Sequence, residues 1–143
     1  TQFDRRRQRQ MCIRDRHRVI RTEVDASRTV LESTLYCREA GFDETPSRMI
    51  ATAVSELVRN ILKYAGSGEI RLRRVKAMGG RGIEIEAVDR GPGIADCEAA
   101  MADHFSSAGT LGLGLPGVKR MMDEFLLEST PGKGTRVTAR KWI

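Results

Sequence analysis

Cysteine, long apolar runs and repeats are all scarce in this chain, and each scarcity closes off a class of protein. The three cysteines, Cys12, Cys37 and Cys97, are odd in number and form no Cys-x-x-Cys pair. They argue against both a disulfide framework and a zinc site. Cys37 falls in an apolar helical pattern, which places it in the core. No apolar run approaches membrane-spanning length and no secretory signal pattern is present, so a cytosolic chain with no membrane partner is expected. The body holds no internal repeat and no low-complexity tract. It also has no excess of one charge. The net charge of +6 comes entirely from residues 1–21, where eight arginines face Asp4 and Asp15, while residues 22–143 hold 17 basic and 17 acidic residues. A balanced body gives no broad basic face, so no nucleic-acid partner is expected.

What is present is one domain's worth of sequence, 143 residues with 40% hydrophobic content. Residues 1–16 are polar, arginine-rich and aperiodic, which predicts a disordered or non-native leader ahead of a domain over residues 17–143. Met11-Cys-Ile-Arg-Asp-Arg16 is also what the end of a common sequencing-library adapter encodes in frame. The alternative for this leader is a basic arm that touches RNA or an acidic partner. Alternation from His17 to Val24 predicts a short strand. Asp25 then reads as an N-cap, with Val30, Leu31, Thr34 and Leu35 at helical spacing and Gly41 at C′, which predicts a helix over about 26–40.

Thr45-Pro46 reads as a cap followed by a first-turn proline. The helix it opens has a core stripe of Ile50, Val54 (or Ala53), Leu57, Ile61 and Tyr64. Glu56, Asn60 and Lys63 form a second file, about 100° round from Leu57. An acid, an amide and an amine at the edge of the core suit a polar cleft; a solvated face is the plainer alternative. Strands over 69–75 and 83–87 form an antiparallel hairpin around Met78–Gly82. The second runs into Asp89-Arg-Gly91-Pro-Gly93-Ile94, a carboxylate at a strand end followed by a bend in which glycines permit close approach. An Asx-type turn is the alternative there. Residues 95–108 form a lid or a surface loop with room for a short helix, and His104 reads as a surface residue of it. Gly109-Thr110-Leu111-Gly112-Leu113-Gly114-Leu115 then feeds a helix over 116–125 with Val118, Met121, Met122 and Phe125 on one face. A glycine loop at a helix N-terminus offers unpaired N–H groups to a phosphate; a plain glycine-rich loop is the alternative. The turn 130–134 leads into a last strand, Thr135 to Ile143.

Taken in order, these segments resemble the GHKL family of ATP-binding proteins, the Bergerat fold. The resemblance rests on Glu56-x-x-x-Asn60, Asp89-x-Gly91-x-Gly93, Gly112-x-Gly114 and Gly134-Thr135, and it spans about residues 17–143. Within the family the chain looks most like the small bacterial serine/threonine kinases and anti-sigma factors, in particular the RsbT-type switch kinases. Ser55–Asn60, Lys63–Ala65, Asp89–Ile94, Gly114–Phe125 and Lys141-Trp142-Ile143 carry that likeness. The resemblance implies an α/β (α+β) two-layer sandwich, a mostly antiparallel sheet with helices on one face. It implies ATP and Mg²⁺ as cofactors. Asn60 would ligate the metal, Glu56 would act on the nucleophile, and Asp89 would accept from the adenine amino group. Gly91, Gly93 and Ile94 would let the base approach, with Thr135 adding a hydroxyl. Residues 109–115, with Lys63, would hold the phosphates. The implied partners are a STAS-domain protein as substrate, a phosphatase activated on release, and a sigma factor. The implied activity is a protein serine/threonine kinase. The alternatives are an anti-sigma factor that sequesters a sigma subunit and a histidine-kinase-like ATPase domain.

Overall fold

The structure, a computed structural model, describes residues 15–102 and 114–143. Strand β1 (Arg16–Ile20) is followed by helix α1 (Glu23–Glu39) and helix α2 (Glu44–Asn60), which ends in a π-helical turn (Ile61–Ala65). Hairpin strands β2 (Gly68–Ala77) and β3 (Gly80–Asp89) come next, then the short α3 (Cys97–Ala100). Helix α4 (Gly114–Met121) and the hairpin β4 (Glu124–Thr130) and β5 (Gly134–Trp142) complete the chain. The five strands form one sheet in the order β1-β2-β3-β5-β4, and every pairing is antiparallel.

Alternation along the strands decides which face is covered. Ile70, Leu72, Ile83, Ile85, Ala87, Val137 and Ala139 are buried, and they form one core with Ile50, Val54, Leu57 and Val118 of the helices. The result is a two-layer α+β sandwich. The opposite face is a charge ladder. Arg73, Glu84, Arg140 and Glu124 share one register row across four strands. Glu84 is only 3% exposed because Arg73 and Arg140 close over it, Arg140 Nε lying 2.7 Å from its Oε2.

Several local expectations shift. The strand expected over His17–Val24 stops at Ile20, because Thr22 caps α1. Asp25 is not the N-cap but its partner in a capping box: its N–H donates to Thr22 Oγ1 at 3.2 Å and its carboxylate accepts from Thr22 N at 3.1 Å. Gly41 is the C′ residue as expected; its N–H donates to Arg38 O while Phe42 N–H donates to Cys37 O, both at 3.0 Å, a Schellman ending. Helix α1 turns a different face inward, however. Ala26, Thr29, Ser33, Tyr36 and Cys37 are buried, while Leu31 and Leu35 are 63% and 48% exposed. The cap of α2 is Asp43, not Thr45, which puts Pro46 at the third helical position, still in the first turn where no intrahelical N–H bond is lost. The helix expected over 116–125 begins at Gly114 and ends at Met121, and Phe125 belongs to β4. No helix among the described residues is long and apolar enough to cross a membrane.

Candidate functional site

One cavity of about 430 Å³ opens between the end of α2, the end of β3, α3, the start of α4 and the start of β5. That is the size range of a small-molecule site. Ala87 and Val137 of the sheet, with Leu57, Ile61 and Leu115, give it an apolar lining, and a few polar groups converge on it.

Helix α2 supplies the first polar group. Glu56 is 7% exposed and lines the cavity. Its Oε2 accepts from Gly114 N at 3.2 Å, joining α2 to the N-terminus of α4 across 58 positions of sequence. Its Oε1 lies 3.4 Å from Arg59 Nη1 on its own helix. Asn60, one turn on, is half-buried on the same wall. The helix then changes its winding: Gly66 N–H donates to Ile61 O at 2.9 Å, an i→i+5 bond. A π turn advances less per residue than an α turn, so the residues after Ile61 fall off the core stripe. Tyr64, expected in the core, is instead 49% exposed and on the cavity wall beside Lys63, whose Nζ lies 5.3 Å from the Tyr64 ring centroid.

The second polar group stands at the end of β3. Asp89 lines the cavity, and its Oδ1 accepts from Gly91 N at 2.9 Å. This is the Asx-type turn: it fixes one oxygen, and among the described residues no donor is bonded to the other. Gly91 is not in the wall; it packs so tightly on Ala65 that a Cβ would fall 2.6 Å from the Ala65 Cβ. Gly93 and Ile94 do line the cavity. Thr135, the register partner of Asp89 on β5, lines it too. The β4–β5 hairpin is drawn against the Asp89 loop: Gly132 N donates to Pro92 O at 2.7 Å and Ile94 N to Ser129 Oγ at 2.7 Å. Gly134 makes this approach possible, since a Cβ there would lie 2.1 Å from Asp89 O.

Of the expected site residues, Glu56, Asn60, Lys63, Asp89, Gly93, Ile94, Gly114, Leu115 and Thr135 thus line one cavity. Gly109, Thr110, Leu111, Gly112 and Leu113 lie outside the described residues, as does His104. Of the segment 95–108, Cys97–Ala100 is helical, capped by Asp96, and Ala99 and Ala100 contribute to the wall. Sequence reasoning passed over Arg59 and Ser129. Nothing but a polar letter ahead of Thr130-Pro131-Gly132 signals Ser129, because the bond that brings it to the site, from Ile94 N–H, spans 35 positions of sequence.

Comparison with known proteins places this geometry. Residues 45–142 match the family described as histidine kinase-, DNA gyrase B-, and HSP90-like ATPase. The chain is 46% identical over 134 residues to the serine/threonine-protein kinase RsbT of Bacillus subtilis, covering 94% of this chain and 97% of that one. It is 41% identical over 98 residues to the anti-sigma F factor of a Thermoanaerobacter species, covering 66% of this chain and 68% of that one. Among solved structures, the RsbU and RsbW domains of a Mycobacterium tuberculosis protein share the fold at a TM-score of 0.62 and 19% identity, over 89% of this chain and 32% of that one. The chain belongs to the histidine kinase-, DNA gyrase B-, and HSP90-like ATPase family and, within it, to the branch that holds RsbT and the anti-sigma F factors.

Proposed function

We propose that the protein is an ATP-dependent serine/threonine kinase that phosphorylates a STAS-domain antagonist in a bacterial partner-switching pathway governing a stress sigma factor. The observation that carries this reading is Glu56, a buried carboxylate on the cavity wall one turn from Asn60 and bonded to the N-terminus of α4. Similarity to RsbT over nearly the whole chain supports it. ATP would lie with its base against Asp89, Gly93, Ile94 and Thr135 and its phosphates towards Gly114 and Lys63. A carboxylate is acceptor-only and suits an amino group. The N-terminus of α4 suits anionic oxygens.

Glu56 would accept the proton of the attacking hydroxyl. The hydroxyl oxygen forms its bond to the γ-phosphorus as the bond from that phosphorus to the β,γ-bridging oxygen breaks, leaving ADP. Positioning and charge neutralisation supply most of the acceleration in such transfers. A Mg²⁺ ion fits the donor set. Asn60 offers one neutral amide oxygen, and the described residues hold no group of three His, Cys, Asp or Glu that would make a closed cage. Mg²⁺ retains waters and takes phosphate oxygens, so one protein ligand suffices. When bound it would neutralise phosphate charge. The resemblance adds a phosphatase, activated on release, as a further partner.

The test is Glu56→Gln with purified STAS-domain partner and γ-labelled ATP. Glutamine keeps an oxygen for Gly114 N–H, so ATP affinity should hold, while phosphoryl transfer should fall by roughly 10²–10⁴. Transfer at the wild-type rate would remove Glu56 from the chemistry. The similarity to anti-sigma F factors favours one second reading, a sequestering protein. A wild-type protein that transfers no phosphate but binds a sigma subunit tightly would establish it instead.

A further inference from the structure

Ser129 belongs to no part of the mechanism above, yet its one hydroxyl ties β4 to two segments of the cavity, the Asp89 loop and the start of β5. Ile94 N–H donates to Ser129 Oγ at 2.7 Å, Ser129 Oγ lies 3.1 Å from Gly134 O, and it lies 2.9 Å from Thr135 Oγ1. A serine hydroxyl has one proton and two acceptor sites. Gly134 O is a carbonyl and only accepts, so Ser129 must give it the proton. Ile94 N–H takes one acceptor site. The contact with Thr135 can then be a hydrogen bond only if Thr135 donates to the remaining site. This is the single assignment that makes all three contacts hydrogen bonds. Its consequence reaches the cavity, because Thr135 is in the wall and its proton is committed away from it.

We propose that Ser129 is a positioning residue that sets base specificity by holding Thr135 as an acceptor. With its proton held by Ser129, Thr135 turns lone pairs to the ligand, and Asp89, its register partner, presents a carboxylate. Two neighbouring wall groups then accept and neither donates. Such a wall favours a purine carrying an amino group and disfavours one carrying a carbonyl at the same ring position. Ser129 also holds Ile94, so the Asp89 loop and the β4–β5 hairpin are fixed to each other at the point where they meet the base. The inference rests on the reading of the cavity as an ATP site.

The experiment compares ATP with ITP, which differ at that ring position as amino against carbonyl. Dissociation constants are measured by calorimetry for the wild type, Ser129→Ala and Ser129→Thr. Wild type should prefer ATP. Ser129→Ala frees the Thr135 proton to face a carbonyl, so the ITP:ATP ratio of dissociation constants should fall roughly five- to tenfold, the worth of a neutral hydrogen bond. Ser129→Thr keeps the hydroxyl and should restore the ratio. A general loosening would weaken both nucleotides alike and leave the ratio intact, and an unchanged ratio in folded Ser129→Ala overturns the proposal. Failure of Ser129→Thr to restore the ratio, with melting temperature unchanged, also counts against it. If the wild type binds neither nucleotide, it is the ATP-site reading that fails.

Discussion

Replacing Asp89 by asparagine exchanges one oxygen for an NH₂ group and sets the local geometry against the ligand. In the wild type, Asp89 Oδ1 accepts from Gly91 N at 2.9 Å, which fixes the plane of the carboxylate and leaves its second oxygen for the cavity. Asparagine offers one acceptor and one donor group. If its oxygen stays on Gly91 N–H, its NH₂ faces the cavity and meets the adenine amino group donor to donor. If it flips to serve the base, Gly91 N–H faces an NH₂ and the turn loses its bond. Neither rotamer satisfies both neighbours. A hydrogen bond to a charged acceptor is worth about 1.5–3 kcal/mol, so ATP affinity should fall by roughly 10- to 150-fold. ITP should suffer less, since a donor now faces its carbonyl. Calorimetric titration of both nucleotides against wild type and Asp89→Asn, with melting curves as a check on folding, reads this directly. Unchanged ATP affinity in a folded Asp89→Asn protein would refute the assignment of Asp89 to the base.

Two further expectations concern the scaffold. Glu84→Ala should leave Arg73 and Arg140 facing each other across β3. Loss of one partner of a buried pair costs about 3–5 kcal/mol, but these arginine side chains are 35% and 42% exposed and screened. A loss of about 2–3 kcal/mol in urea unfolding is therefore expected, and a change within error would show that the row contributes nothing net. Burial pushes the Cys37 thiol up to about 12, which leaves almost no thiolate at pH 8. In a Cys12→Ser variant, a thiol reagent should react with the half-buried Cys97 in the native protein and reach Cys37 only on unfolding; rapid native modification of both would contradict the buried placement.

How much of this could be read from the chain differs from element to element, for physical reasons. The hairpin β2–β3 and the stripe Ile50–Val54–Leu57–Ile61 were legible because apolar side chains carry the burial there. In α1 they do not. Thr29 Oγ1 donates to Asp25 O at 2.8 Å and Ser33 Oγ to Val30 O at 2.6 Å, so each buried hydroxyl is satisfied within its own helix. Two polar letters therefore mark the inner face and two leucines the outer one, the reverse of the apolar count. Tyr64 was misplaced for a different reason: a strict helical period cannot anticipate the π turn that begins at Ile61.

The site was legible where backbone demands a residue type and illegible where one side chain bridges distant segments. The Asp89 loop must pass against the β4–β5 hairpin with no room for side chains: a Cβ on Gly93 would lie 2.4 Å from Thr130 O, and one on Gly134 would lie 2.1 Å from Asp89 O. Those contacts require glycine, so the crossing is written in the sequence as glycines on both sides of it. Glu56 shows the opposite case. Its spacing to Asn60 put both on one helix face, but spacing says nothing of Gly114, whose N–H it accepts. That bond ties the acid to the N-terminus of α4, where phosphates are expected to bind. In the proposed reaction the acid that takes the proton and the backbone that meets the phosphates are thus held in register by a direct contact. A shift of α4 would break that contact and part the two.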